Sequence, residues 1–271
     1  MAARFERVAP GVLEILNFFP EGIRAYQTTR QAGVSAAPFD GFNLATHVGD
    51  RLDHVLENRR YLTALLPNPP VWLNQVHGVS VLNLDDSSET VTPPTADACW
   101  TSTVDRVCAV MTADCLPVLI ARPSHHQVAA VHAGWRGLVN GVIEATLDDL
   151  LSGAADSGVA DDWWVWFGPC IGPDAFEVGP EVRASFLAQN PGSHVGFRAA
   201  DPDRQTWIAD LQALAKQRVV QWAEQHLDRR AEQVHIDADR RCVYRHSESF
   251  FSYRRDRETG RMASLIYCCK P

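Results

Sequence analysis

The 271-residue chain predicts an α+β fold of irregular α/β type: one domain, 1–271, with mixed β-sheets in a sandwich-like core flanked by helices. Three observations predict it. Short apolar runs rich in β-branched residues follow one another through the middle of the chain. A few amphipathic helical segments interrupt them without strict strand–helix alternation. No linker, low-complexity stretch or internal repeat divides the patterning, and 46% hydrophobic residues suffice for a sizeable core.

Taken in order, GIRAYQTTR (22–30) reads as a strand and the turn-rich GVSAAPFDGFNLATHVGD follows it. In DHVLENRRYLTALL (53–66), Val55, Leu56, Leu62, Leu65 and Leu66 recur at helical spacing, and Pro67, Pro69 and Pro70 end the helix. VWLNQV, VSVLNL, ADACW, RVCAVM, LPVLIA and QVAAVHA are each of strand length, and the polar LDDSSETVTPPTADA (84–98) is a loop among them. GLVNGVIEATLDDLL (137–151) predicts an amphipathic helix, WWVWFG a strand and PEVRASFLAQ a short helix. TWIADLQALAKQRVVQWAEQHL predicts one long helix with Asp210 serving its first turn. EQVHIDA, FFSYR and ASLIYCC close the chain as strand candidates. Trp163, Trp164 and Trp166 suit the core better than a base-stacking surface.

A net charge of −8 and a pI near 5.7 argue against a non-specific nucleic-acid binder, which needs a basic face. The local exception is Arg240, Arg241, Arg245, Arg254, Arg255, Arg257 and Arg261. Such a run is more often a solvated, acid-paired face; its functional reading is a pocket edge for an anionic substrate. Seven cysteines is an odd number with no disulfide-ladder spacing. The N-terminus lacks a secretory signal, and no apolar run reaches the roughly 20 residues needed to span a bilayer. A cytoplasmic protein with buried or ligating thiols, no membrane and no nucleic-acid partner is the expectation, with a monomer favoured.

Three apolar runs end in a metal-capable side chain: His77 in VWLNQVHG, Cys115 in AVMTADCLPV and His132 in VAAVHAGWRG. Two imidazoles and a thiolate form a plausible zinc set, and three protein ligands are usual where a catalytic zinc keeps an open position. His132 precedes the turn AGWRG that opens a helix, so orphan backbone N–H groups near Gly134, with Arg136 beside them, make an anion-friendly mouth. Taken singly, each residue has a bland reading, as a packed histidine or a small apolar cysteine. Spacings of 38 and 17 residues form no local metal motif. HExxH is absent. The base-deaminase signature fails because Ile171, Gly172 and Pro173 follow Pro169-Cys170 without the second cysteine. A His₂Cys set could also hold a mononuclear copper, and no HxH pattern supports a multicopper cluster.

GFNLATHVGD, ENRR, LNQVHG, TADCLPV, VHAGWRG, FGPCIGPDAFEVGPEV and FFSYRRDRETGRMAS, in this order, resemble the YfiH/laccase-domain-containing family. That family is also described as one of polyphenol oxidases, purine nucleoside phosphorylases or peptidoglycan editing factors. The likeness runs from about Tyr26 to Leu265. It implies a fold shared with bacterial cysteine-hydrolase-like toxins and a zinc held by His77, Cys115 and His132. It also implies that Asn43, His47 and Arg59 line the same pocket. Gln31-Ala32-Gly33 and Arg51 depart from the family pattern and touch none of the proposed ligands.

The activity implied is that of a zinc enzyme of purine nucleosides: phosphorolysis of adenosine, inosine and methylthioadenosine, and adenosine deamination. Zinc would activate water for attack on C6 of adenine, Asp114 or His47 would move protons, and Arg59, Arg136 and the turn after Gly134 would hold phosphate. Asp114 has a bland alternative as a turn-stabilising acid and His47 as a loop histidine. Other readings stand beside it. One is hydrolysis of L-serine from a UDP-MurNAc peptide precursor; another is a metal-free Cys115 nucleophile with His77 or His132 as base. A third is a copper-dependent polyphenol oxidase. The last is a non-enzymatic protein whose structural zinc takes a fourth ligand from Cys99, Cys108 or Cys170, each better suited to packing.

Overall fold

The computed structural model describes residues 3–86, 92–153, 162–201, 203–227 and 233–270; the middle of the polar loop 84–98 lies outside them. Strands β1 (Arg4–Ala9), β2 (Val12–Leu16) and β3 (Ile23–Thr28) form an antiparallel meander, and helix α1 (Leu52–Thr63) follows a long loop. Then come β4 (Val81–Asn83), β5 (Ala98–Thr101), β6 (Cys108–Thr112), β7 (Leu116–Arg122) and β8 (Gln127–Ala133), followed by α2 (Trp135–Asn140) and α3 (Val142–Ser152). The rest are β9 (Trp163–Phe167), β10 (Glu177–Val178), α4 (Pro180–Gln189), β11 (Phe197–Asp201), β12 (Thr206–Ala209), α5 (Leu211–His226), β13 (Val234–Ala238), α6 (Tyr253–Asp256) and β14 (Met262–Cys268).

Two sheets make the centre. One is antiparallel, in the order β1-β2-β3-β14-β6; the other is mixed, in the order β13-β9-β7-β8-β5-β4, with parallel pairs at both edges. A small β10-β12-β11 sheet lies apart. The strand period of two explains the layering. Leu119 and Ala121 of β7, with Val128 and Ala130 of β8, meet Val110 and Ile266 between the two large sheets. Val118 and Ile120, with Ala129 and Val131, pack instead under Leu138, Ile143, Leu147 and Leu214 of the helices. Both faces of β7 and β8 are therefore covered, which is why their sequences are continuously apolar. The outer face of the antiparallel sheet is closed by Phe42, Leu44 and Leu62 against Tyr26, Ala109 and Leu265. The expected sandwich-like mixed α/β architecture is observed.

Several elements differ from the sequence reading for local reasons. VWLNQV is not a strand: only isolated bridges at Val71 and Asn74 tie it to its neighbours. The helix at 53–66 stops at Thr63, consistent with the bar that Pro67 places on helical geometry just before it. The segment 137–151 is two helices, because Gly141 adopts φ +96°, where the chain cannot continue an α-helix. The segment 206–227 divides at Asp210. Thr206–Ala209 pairs with β10 and β11, and Asp210 caps α5 by accepting from Ala213 N at 2.9 Å. FFSYR is not a strand either; Phe250 and Phe251 are core, and Ser252 caps α6. Trp163 and Trp166 are fully buried, as the core reading requires, whereas Trp164 is half-buried and stacks on the His235 ring. No helix among the described residues is long and apolar enough to cross a membrane.

Candidate metal centre

His132 is the penultimate residue of β8, Cys115 immediately precedes β7, and the two strands pair side by side. His77 arrives from a loop and has a positive φ of 61°. That loop is positioned by Gln75, whose side chain takes the place of a strand: its Nε2 donates to Met111 O and its Oε1 accepts from Met111 N, both at 2.8 Å.

The ligand atoms of His77, Cys115 and His132 all lie within 4.8 Å of one another, and among the described residues theirs is the one such cluster. Cys115 Sγ stands 3.7 Å from His77 Nε2. Two zinc bonds of ordinary length at a tetrahedral angle would separate such atoms by about 3.5 Å. The two imidazole rings meet edge to face, with centroids 4.8 Å apart.

Asp97 organises this trio and was not identified from the sequence. It is fully buried just before β5. Its carboxylate accepts from the backbone N–H of Val76 (3.2 Å), His77 (2.8 Å) and Gly78 (2.7 Å), and it meets His132 Nδ1 at 2.8 Å. A donor at Nδ1 leaves His132 Nε2 free to hold a metal, in the manner of a carboxylate–histidine–metal relay. Burial would raise the Asp97 pKa, but His132 and the Gly78 and His77 amides outweigh it and hold the carboxyl below its usual range. The only sequence signal was an acid at the mouth of an apolar strand, one among several in the loop 84–98.

Burial by itself would push the Cys115 thiol up; His132 and His77 outweigh it and bring it down to about 6. Burial also disfavours an imidazolium at His132, yet Cys115 and Asp97 raise it to about 9. A metal ion would replace the proton held between these two groups. Gly134 completes the fit: a Cβ there would stand 2.8 Å from His77 Cδ2 and 3.0 Å from Cys115 Sγ. Two imidazoles, a thiolate-prone cysteine, a supporting carboxylate and an adjoining cavity suit zinc well.

The trio opens on a cavity of about 430 Å³ whose wall includes His47, Asp114, Trp135, Arg136, Arg254 and Arg261. Desolvation, and then the charges of Arg261 and Arg59, hold the His47 imidazole below its usual pKa. Asp114 lines the cavity, but both its oxygens are engaged, one accepting from Ser252 Oγ and the other from Arg254 N, each at 2.6 Å. Burial nevertheless raises its pKa against those contacts.

Other expected residues lie off the wall. Asn43 is wholly buried and holds the loop: its Oδ1 accepts from Ala45 N and Arg261 N, and its Nδ2 donates to Asp50 and Ala45 O. Arg59 donates to Leu44 O at 2.8 Å and lies over the Trp72 ring. Both therefore shape the segment that carries His47 instead of lining the cavity. Gly134 leaves no space for a side chain against His77 and Cys115, and the helix it opens has only six residues. Cys99, Cys108 and Cys170 are buried thiols that do not join the trio, as their packing role requires.

The C-terminal arginines divide in two. Arg240, Arg241 and Arg255 pair with Asp210, Asp239 and Asp256, and Arg245 donates to Asp174 O. Arg254, Arg257 and Arg261 line the cavity, and among the described residues none of them lies within ion-pair distance of a carboxylate.

Residues 24–269 match the family described as multi-copper polyphenol oxidoreductase laccase. The chain is 46% identical over 250 residues to proteins named purine nucleoside phosphorylase YfiH from Shigella flexneri and Escherichia coli K12, covering 92% of this chain and 95% of each relative. A Neisseria meningitidis crystal structure, assigned to family DUF152, superposes with a TM-score of 0.82 at 35% identity, over 96% of this chain and 100% of the other. A Bacillus licheniformis hypothetical protein YfiH gives 0.83 at 25% identity, over 97% and 98%. The chain thus belongs to the laccase-like YfiH/DUF152 family.

Proposed function

We propose that the protein is a zinc enzyme of purine nucleosides that cleaves them with phosphate and deaminates adenosine. The observation that carries this reading is the convergence of His77, Cys115 and His132 on a cavity whose wall also holds Arg254, Arg257 and Arg261, unpaired with any carboxylate among the described residues. The names of the relatives at 46% identity supply the substrate class. When bound, zinc supplies Lewis-acid chemistry that polarises an oxygen or activates water near neutral pH.

The remaining roles fall to the chain's own side chains. Trp135 and Phe176 provide apolar wall for a purine, and the arginines hold the anionic reactant. In deamination the neutral His47 imidazole takes a proton from the attacking water and passes it to the 6-amino nitrogen, which leaves as ammonia. In phosphorolysis an oxygen of hydrogen phosphate bonds to C1′ as the bond from C1′ to the purine nitrogen breaks, and the freed base takes up the proton that the phosphate gives up. Asp114 holds the Ser252–Arg254 turn and with it one wall of the cavity.

The test is zinc-loaded protein with adenosine, with and without inorganic phosphate, followed by chromatography. Adenine only with phosphate, and inosine in either case, are expected. One equivalent of zinc with neither product would sink the reading. The arginine rim also favours a second reading, release of L-serine from a UDP-MurNAc peptide. Serine released by the parent and not by Cys115→Ala would support it.

A further inference from the structure

Beside the cavity of the His77–Cys115–His132 trio lies a second one of about 380 Å³, and the two share His47, Tyr253, Arg257 and Arg261 as walls. The second lobe has unusual chemistry. Arg257 is exposed and donates no side-chain hydrogen bond to any described residue, while Arg261 spends one nitrogen on the carbonyls of Thr259 and Gly260. Thr259, also in this wall, is 1% exposed, and its Oγ1 has no hydrogen-bond partner. A buried hydroxyl without a partner is costly, and turning about χ1 toward a ligand would forfeit nothing.

The backbone adds an independent sign. Arg257 has φ +63° and ψ −65°, and Glu258 N donates to Asp256 O at 2.8 Å. That is a γ-turn centred on Arg257, a strained form for a residue with a side chain, and such strain gathers at ligand-holding positions. Glu258, the one acid in this wall, carries its Oε1 toward Gly49, 3.7 Å from where a Cβ would stand.

We propose that this second lobe is an oxyanion subsite in which Arg257, Arg261 and Thr259 hold a phosphate group. Arginine forks and a hydroxyl donor match the tetrahedral oxygens of phosphate. The subsite stands on the geometry above; naming its occupant the co-substrate of phosphorolysis rests on the nucleoside reading. It also places phosphate apart from Arg59, which lies off both cavity walls and donates to Leu44 O at 2.8 Å.

Two variants keep the test clear of misfolding. Arg257→Gly removes the guanidinium from a turn that glycine adopts readily. Thr259→Val removes an unpartnered hydroxyl at nearly constant shape, so without phosphate the variant should melt no lower than the parent. Inorganic phosphate binding to the zinc-loaded protein, followed by calorimetry and by the phosphate-induced rise in melting temperature, should weaken at least tenfold in each. Adenosine binding measured without phosphate should change less than twofold. Parent-like phosphate affinity in both variants would overturn the subsite. If adenosine 5′-monophosphate binds with the same dependence on Arg257 and inorganic phosphate does not bind at all, the oxyanion subsite stands and the co-substrate assignment falls. Because binding is read without turnover, an inactive protein with Arg257-dependent phosphate binding sinks only the nucleoside reading.

Discussion

In the metal lobe, side chains are set by paired strand ends and by one carboxylate whose hydrogen bonds are saturated, whereas the arginine lobe is a loop wall of cations with few partners. Asp97 receives three backbone N–H groups and the His132 ring, so the His77 loop and the His132 imidazole are oriented before any ligand arrives. Among the described residues the side chains of Arg257 and Thr259 have no such hydrogen-bonded support. The difference teaches that the two lobes answer different demands. A metal needs fixed distances, while an exchangeable anion needs donors left unspent by the fold.

The largest effect expected is from Cys115→Ala. It should abolish zinc retention and reduce turnover to background, while Arg257→Gly keeps its zinc; metal analysis of both proteins checks this. Zinc in equal amounts in the two variants would break the contrast. Chelation comes next. Removing zinc from a protein saturated about a thousandfold above its Kd should cost about 4 kcal/mol of stability, read as a lower melting temperature. Arg257→Gly should show the same drop on chelation.

Asp97→Asn should weaken zinc about 10- to 100-fold, because an amide cannot accept all four hydrogen bonds and leaves the His132 tautomer unset. Competition with a chromophoric chelator measures it. Gly134→Ala forces a Cβ onto His77 and Cys115, and should cost about 1–3 kcal/mol in denaturant titration, with weaker zinc binding besides. Arg240→Ala should do least. Its ion pair with Asp210 is long at 3.9 Å and exposed, so stability should stay within about 0.5 kcal/mol and phosphate binding should be unchanged. A loss of phosphate binding there would erase the distinction between paired and unpaired arginines.

The legibility of the chain follows the same division. β7, β8 and β14 were readable because strands buried on both faces must be apolar throughout. β1 was not, since RFERVA is an exposed edge strand held by backbone pairing to β2, which leaves no apolar period. VWLNQV carried strand composition, yet Gln75 pairs with Met111 through its side chain and spares the segment a ladder. At 206–227 the helical spacing of α5 hid a preceding strand, whose pairing partners β10 and β11 lie elsewhere in the chain.

By itself the sequence determined the layered α/β core and the three donors His77, Cys115 and His132, because burial demands and ligand chemistry are written in residue type. It also supplied the arginines, though not which of them would be spent on neighbouring acids. Tertiary structure alone decided that the trio converges, that Asp97 orients it, and that Asn43 and Arg59 support a loop instead of lining the cavity. It alone left Arg257, Arg261 and Thr259 with donors to spare. Those outcomes depend on hydrogen bonds between residues as far apart as Asn43 and Arg261, or Asp114 and Arg254, and such distances are set only when the sheets close.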